Sequence, residues 1–270
     1  MRESSLSSRQ AIVLLGVVVL IWGTTWPVNK AILHYMSPIW STAIRSCIGT
    51  VVLLILCLAR GRLVLPQRGD LPVVFSVGLL HMTAYSILGN VGMQHVAARR
   101  SVVLAYTTPM WVAPCARLFL GEAFTLRRAI GTVFGLLGLV MIFNPLAFDW
   151  SNHDSVLGNG LILLGAMFWA ASILYVRGHR WIGEPFDLLI WQALVASCVL
   201  VPCAFLFEGP PQFEWSVPLV GLQLYSATFG IVCSSLALGE TLEFSLVASM
   251  ALIIIGIAIG ALPEKRAVRA

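Results

Sequence analysis

Arg45 lies in "AIRSCIGTVVLLIL" (43–56), a run with no other charge. A guanidinium there holds an anion or works a gate, unless its long stem carries it back to a polar edge. A second polar group recurs further on: His81, Tyr85, Asn90 and Gln94 follow one another at intervals of four, five and four residues. That spacing gathers them on one side of a helix. Hydrogen bonds to neighbouring helices explain such a face, and so does a cavity wall, with His81 a candidate proton carrier. A third group is "YTTPMW" (106–111). Pro109 frees a backbone carbonyl and threonine hydroxyls can bond it, so a helix break or hinge is expected there. Tyr106 and Trp111 then flank the break. The last group is aromatic: Trp22, Thr25 and Trp26 in one apolar run, Trp169 and Tyr175 in another. Trp22 and Trp169 sit deep enough for a cavity, whereas Trp40, Trp150, Trp181 and Trp215 suit an interfacial belt.

The expected substrate contacts are therefore Trp22, Thr25, Arg45, His81, Tyr85, Asn90, Gln94, Tyr106, Trp111 and Trp169. Hydrogen bonds from tyrosine and amides, and stacking on tryptophan, suit a small polar or amphipathic metabolite. Glu122 and Glu240 fall at helix starts, where a carboxylate caps free N–H groups and meets the positive dipole end. Lys30 either complements a helix C-terminus or meets substrate at a cavity mouth. Nothing catalytic emerges: there is no H-E-x-x-H, no G-x-S-x-G and no P-loop. An enzyme is not expected, nor a cofactor. The six cysteines have no metal-binding spacing and read as small apolar packers. Asp149, His153 and Asp154 read as a solvated loop.

These side chains stand in an unusually apolar chain. It has 270 residues, 59% hydrophobic and 11% charged, with mean hydropathy +0.90. Soluble domains carry roughly 25% charged residues. The chain is expected to be an all-α multi-pass membrane protein, its partners the lipid bilayer and a small-molecule substrate. A scattered net charge of +5 does not suggest nucleic-acid binding. The first apolar run, 11–28, is too long for a signal-peptide core and lacks a cleavage site, so it is expected to stay as a helix.

A spanning helix needs about 20 apolar residues. Nine segments meet this: 11–33, 38–59, 71–94, 97–119, 127–147, 157–177, 186–207, 216–236 and 244–262. Placing the N-terminus in the cytoplasm puts Arg2, Arg9, Arg60, Arg62, Arg68, Arg127, Arg128, Arg177 and Arg180 inside. It leaves only Lys30, Arg99 and Arg100 in the outer loops, as the positive-inside rule asks. The basic tail, Lys265, Arg266 and Arg269, then falls outside, against the rule.

"LGEAFTLRRAIGTVFGLLGLVMI" (120–142) and "LGETLEFSLVASMALIIIGIAIG" (238–260) align without a gap. Trp22 precedes the first by 99 residues, counted to Gly121, and Trp169 precedes the second by 70, counted to Gly239. The chain thus reads as a duplicated unit of five helices whose second copy lacks about one. An odd-numbered unit repeats upside down, the inverted layout of many secondary transporters. The expected domains are 11–147 and a shortened 157–262. Gly131 with Gly135, and Gly256 with Gly260, form close-approach faces for packing within the chain or for a homodimer.

The chain resembles the drug/metabolite transporter superfamily, specifically its EamA-type, ten-helix exporters. The resemblance rests on "IWGTTWPVNK" (21–30), "AIRSCIGTVVLLIL" (43–56), "AARRSVVLAYTTPMWVAPCARLFLGE" (97–122) and "GAMFWAASILYVRG" (165–178). It implies export of small metabolites across the cell (inner) membrane by alternating access, driven by proton or substrate gradients. The second-half counterpart of "VVLAYTTPMWVAP" (102–114) is absent. That departure leaves a second reading open, a membrane protein that does not transport and acts only through a partner.

Overall fold

The structure, a computed structural model, describes residues 23–122, 133, 150–213 and 215–237. Trp22, Glu240, the segments 127–147 (save residue 133) and 244–262, and both Gly-x-x-x-Gly faces lie outside these. All elements among the described residues are helices. In chain order they are α1 (23–32), α2 (Pro38–Ala59), α3 (Leu71–His95), α4 (Ala98–Ala105), α5 (Thr108–Leu120), α6 (His153–Gly178), α7 (Pro185–Glu208) and α8 (Val217–Ala237). Four of them, α2, α3, α6 and α7, are long and apolar enough to cross a membrane. In a bilayer every backbone polar group must bond internally, which leaves the helix as the form for such segments. Large apolar side chains also face outward: Leu118, Phe119, Leu206 and Phe207 are each at least 76% exposed. Lipid is the medium that suits them. The chain is an all-α, multi-pass membrane protein.

Local chemistry sets the helix ends. Pro38, without an N–H to lose, opens α2. Glu208, from the far end of α7, bonds the free amides of Ile39 at 2.8 Å and Trp40 at 2.9 Å, and takes the Ser37 hydroxyl at 2.6 Å. Asn152 caps α6, its Oδ1 accepting the Ser155 N–H at 3.0 Å. This cap starts α6 at His153, so His153 and Asp154 form its first turn rather than a loop. Gly121 ends α5 at φ 66°, a left-handed turn that favours glycine.

Two departures from regular α-helix matter for the site. Residues Val77–Tyr85 of α3 form a π-helix, where the expected segment was regular. Thr83 follows the wider register, its hydroxyl donating to the Gly78 carbonyl five residues back at 2.8 Å. Such π segments are rare and recur at functional sites. The expected break at 106–109 separates α4 from α5, and Pro109 lies in the first turn of the restarted helix. Thr107 and Thr108 hydroxyls take up the carbonyls of Leu104 and Ala105, each at 2.7 Å.

The helices pack through hydroxyls and glycines as much as through apolar bulk. Antiparallel α2 and α7 share Ser46, Thr50 and Ser197, whose hydroxyls lie 2.9 and 3.0 Å apart. Hydroxyl bonds of this kind hold helices together where lipid offers no hydrophobic drive. Helices α3 and α6 cross at Gly92 and Gly158, where a Cβ on Gly92 would stand 2.7 Å from the Gly158 carbonyl oxygen. Around that crossing Trp26, Met93, Leu104 and Ile162 form a buried cluster. Trp40, expected in an interfacial belt, is instead buried. Its indole donates to the Gly209 carbonyl at 3.0 Å and meets the Phe205 ring edge-on. The α7 C-terminus docked on α2 covers it.

Candidate functional site

The helices line a cavity of about 320 Å³. This is at the lower end of the roughly 300–1,000 Å³ of small-molecule sites. Its walls come from α1, α2, α3, α6, α7, α8 and the α4–α5 break. Thr25 and Trp26 enter from α1, Arg45 from α2, Ser86 and Asn90 from α3, and Ser226 from α8.

Two features dominate it. One is a polar knot around Arg45. Its Nη1 donates to Asn29 Oδ1 and to Ser226 Oγ, both at 3.4 Å, and the Ser226 hydroxyl donates to Asn29 Oδ1 at 2.8 Å. Among the described residues no carboxylate pairs with Arg45. The other feature is an aromatic wall. Trp169 from α6 stacks on His81 at 5.2 Å between centroids, with planes 5° apart, and on Tyr85 at 5.0 Å, tilted by 37°. The π segment carries both α3 partners. Tyr106 joins the wall from the helix break.

The EamA-like transporter family matches residues 9–144, just over half of the chain. The chain belongs to this family. The EamA-like match spans every described element up to Leu120 and so includes Arg45, His81, Tyr85 and Tyr106. The uncharacterized transporter YvbV of Bacillus subtilis (strain 168) is 28% identical over 236 residues, covering 87% of this chain and 74% of its own. A second from the same organism, YoaV, is 26% identical over 216 residues, covering 79% of this chain and 74% of its own. The WAT1-related protein At3g02690, chloroplastic, of Arabidopsis thaliana is 25% identical over 223 residues, covering 79% of this chain and 52% of its own. A crystal structure with 19% identity superposes with TM-score 0.57 over 96% of this chain and 100% of the other, so the fold is shared. Family and named relatives make this EamA-like chain a membrane transporter, and point away from an enzyme.

Of the residues expected at the site, the EamA-like fold brings Thr25, Arg45, His81, Tyr85, Asn90, Tyr106 and Trp169 to the cavity. Gln94 and Trp111 do not reach it. The inward stripe of α3 runs through Ser86, Gly89, Asn90 and Met93 at helical spacing, and Gln94 falls past its edge and is exposed. Trp111 is 38% exposed and turns its indole N–H back to Thr107 Oγ1 at 3.2 Å. Glu122 pairs with Arg177 at 2.7 Å, and the helix it was expected to cap lies outside the described residues. Lys30 complements the C-terminus of α3 rather than that of α1. Its ammonium bonds the carbonyls of Met93, Gln94 and Val96, the last at 3.1 Å.

Several lining residues went unread in the sequence. The sequence alone marks neither Asn29 nor Ser226 as a site residue. Asn29 follows Thr25 and Trp26 by four and three residues, one helical turn. That spacing was the available signal. Helix α7 contributes apolar wall at Leu189 and Ala193, which no polar pattern marks.

Proposed function

We propose that the protein exports small metabolites across the cytoplasmic membrane by alternating access. The observation that carries this reading is the cavity, walled by helices from both ends of the described chain and furnished with one cation and an aromatic wall. A transporter of this kind holds its substrate between two inverted halves and rocks one against the other. The halves are 11–147 and the shortened 157–262. The N-terminus is cytoplasmic, because Arg60, Arg62, Arg68 and Arg180 gather in loops at one end of the bundle.

The two ends carry different fasteners. At the basic end, Asp70 before α3 holds the loop between α6 and α7. At the other, Glu208 holds the start of α2. Opening the cavity to one side loosens the fastener of that side. The test is efflux from proteoliposomes over a panel of small metabolites, with the purified chain shown folded by circular dichroism. Substrate-specific flux that an excess of unlabelled substrate competes is the expected result. Absence of flux for every compound would favour the non-transporting reading instead.

A further inference from the structure

Among the described lining residues the cavity holds one full charge, Arg45, and no Asp or Glu. A cation taken out of water is costly unless it is paired and hydrogen-bonded. Asn29 and Ser226 answer it with neutral oxygens at 3.4 Å, the outer limit of a hydrogen bond. Lys30 shows the contrast, since the backbone carbonyls of Met93 and Val96 take up its ammonium at closer range. Arg45 therefore keeps capacity for an oxyanion. Its forked donors fit a carboxylate better than a point charge would.

The opposite requirement comes from the wall. His81, Tyr85 and Trp169 already stand in mutual ring contact, so an aromatic cluster is in place before any ligand enters. Tyr106 borders it. A flat ring gains stacked or edge-to-face contact with these rings beyond its buried area. The volume of about 320 Å³ suits an occupant of one or two rings. A ligand ammonium would meet Arg45 as a like charge and no described carboxylate.

We propose that the cavity takes a small aromatic monocarboxylate without an amino group, its carboxylate on Arg45, Asn29 and Ser226 and its ring against Trp169, His81 and Tyr85. This names the substrate class of the transporter reading above and rests on it.

The full chain, purified in detergent, is titrated with four matched probes: 3-phenylpropionate, 3-phenylpropionamide, phenylalanine and 3-cyclohexylpropionate. The carboxylate is expected to bind about 10–100-fold more tightly than its neutral amide, the range of a charged hydrogen bond. It is expected to exceed the cyclohexyl acid by about 2–10-fold, the worth of ring stacking. It should also outbind phenylalanine. Arg45→Gln removes the preference for acid over amide, and Trp169→Leu removes the preference for phenyl over cyclohexyl. The wild-type comparison needs no variant, so misfolding of Arg45→Gln cannot hide the answer. Equal binding of acid and amide, tighter binding of phenylalanine, or no binding of any probe by the folded chain overturns the proposal. Flux of some other compound in proteoliposomes would then leave the transporter reading standing, whereas no flux at all would sink both.

Discussion

The Asp70 carboxylate meets His179 Nε2 at 2.9 Å and also accepts the backbone N–H groups of Ile182 and Gly183, at 3.2 and 2.8 Å. One buried side chain thus ties the start of α3 to the turn between α6 and α7. Burial pushes the Asp70 carboxyl up. The hydrogen bonds from His179, Gly183 and Ile182 outweigh it and hold the group below its ordinary value. A depressed carboxyl stabilises the fold above its unfolded value, and that contribution is lost as pH falls through the folded one.

This fastener is therefore intact from pH 5 to 8 and weakens below about pH 4, where an unfolded aspartate protonates. Asp70→Asn removes the charge and turns an amide toward backbone donors. It should lower the thermal midpoint by about 2–6 °C near neutrality, and less at about pH 3, below the unfolded value. Thermal unfolding in detergent across about pH 3–8 measures both. An equal loss at the acid end and at neutrality would contradict the charge-based role.

Glu208 performs the matching task at the other end. Its two oxygens take the Ile39 and Trp40 amides and the Ser37 hydroxyl, capping α2 from a residue far away in sequence. Glu208→Ala leaves those amides unmet and should cost about 1–3 kcal/mol, while Ser37→Ala costs less. Thermal midpoints of the two variants rank them. A Glu208→Ala chain as stable as the parent would mean that water replaces the carboxylate without penalty.

A reporter placed in the loop after Gln67 tests the orientation. Arg60, Arg62 and Arg68 lie in this loop, and Arg177 and Arg180 lie at the same end of the bundle. Under the positive-inside rule a phosphatase fused there stays inactive and a fluorescent protein glows. A phosphatase fused after Ser151 is expected to be active. The reverse pattern would invert the proposed export direction along with the topology.

Helix α2 was legible to the residue, Pro38–Ala59, because a proline opens it and "RGR" closes it. The break between α4 and α5 was legible too, since Thr-Thr-Pro announces both the lost hydrogen bond and its repair. The π segment of α3 was not, because hydropathy reports burial in lipid and is blind to whether a carbonyl bonds four or five residues on. At the cavity, Arg45 stood out as a lone charge in an apolar run. Its neutral partner Ser226 did not, because a single hydroxyl in an apolar helix also bonds its own backbone and is common without any site. The fasteners were hidden for a different reason. Asp70 and Glu208 sit beside loop residues in sequence, and only the folded bundle shows that each reaches across it.

The crossing of α3 and α6 gives the sharpest packing test. A Cβ on Gly158 would stand 2.8 Å from His95 Cβ and 2.9 Å from the Gly92 carbonyl oxygen, both too close for real atoms. Two residues along the same helix, Gly160 has nothing within 4 Å of its added Cβ. Both sites gain helix propensity from alanine, so the difference between the variants isolates the clash. Gly158→Ala must push α3 and α6 apart, disturbing the buried cluster of Trp26, Met93 and Ile162 beside the cavity. The expected cost is about 1–3 kcal/mol relative to Gly160→Ala, read from thermal midpoints in detergent. Because Met93 and Trp26 also line the cavity, Gly158→Ala should weaken ligand binding where Gly160→Ala does not. Equal stability and equal binding for the two variants would show that the helices do not meet at this glycine pair.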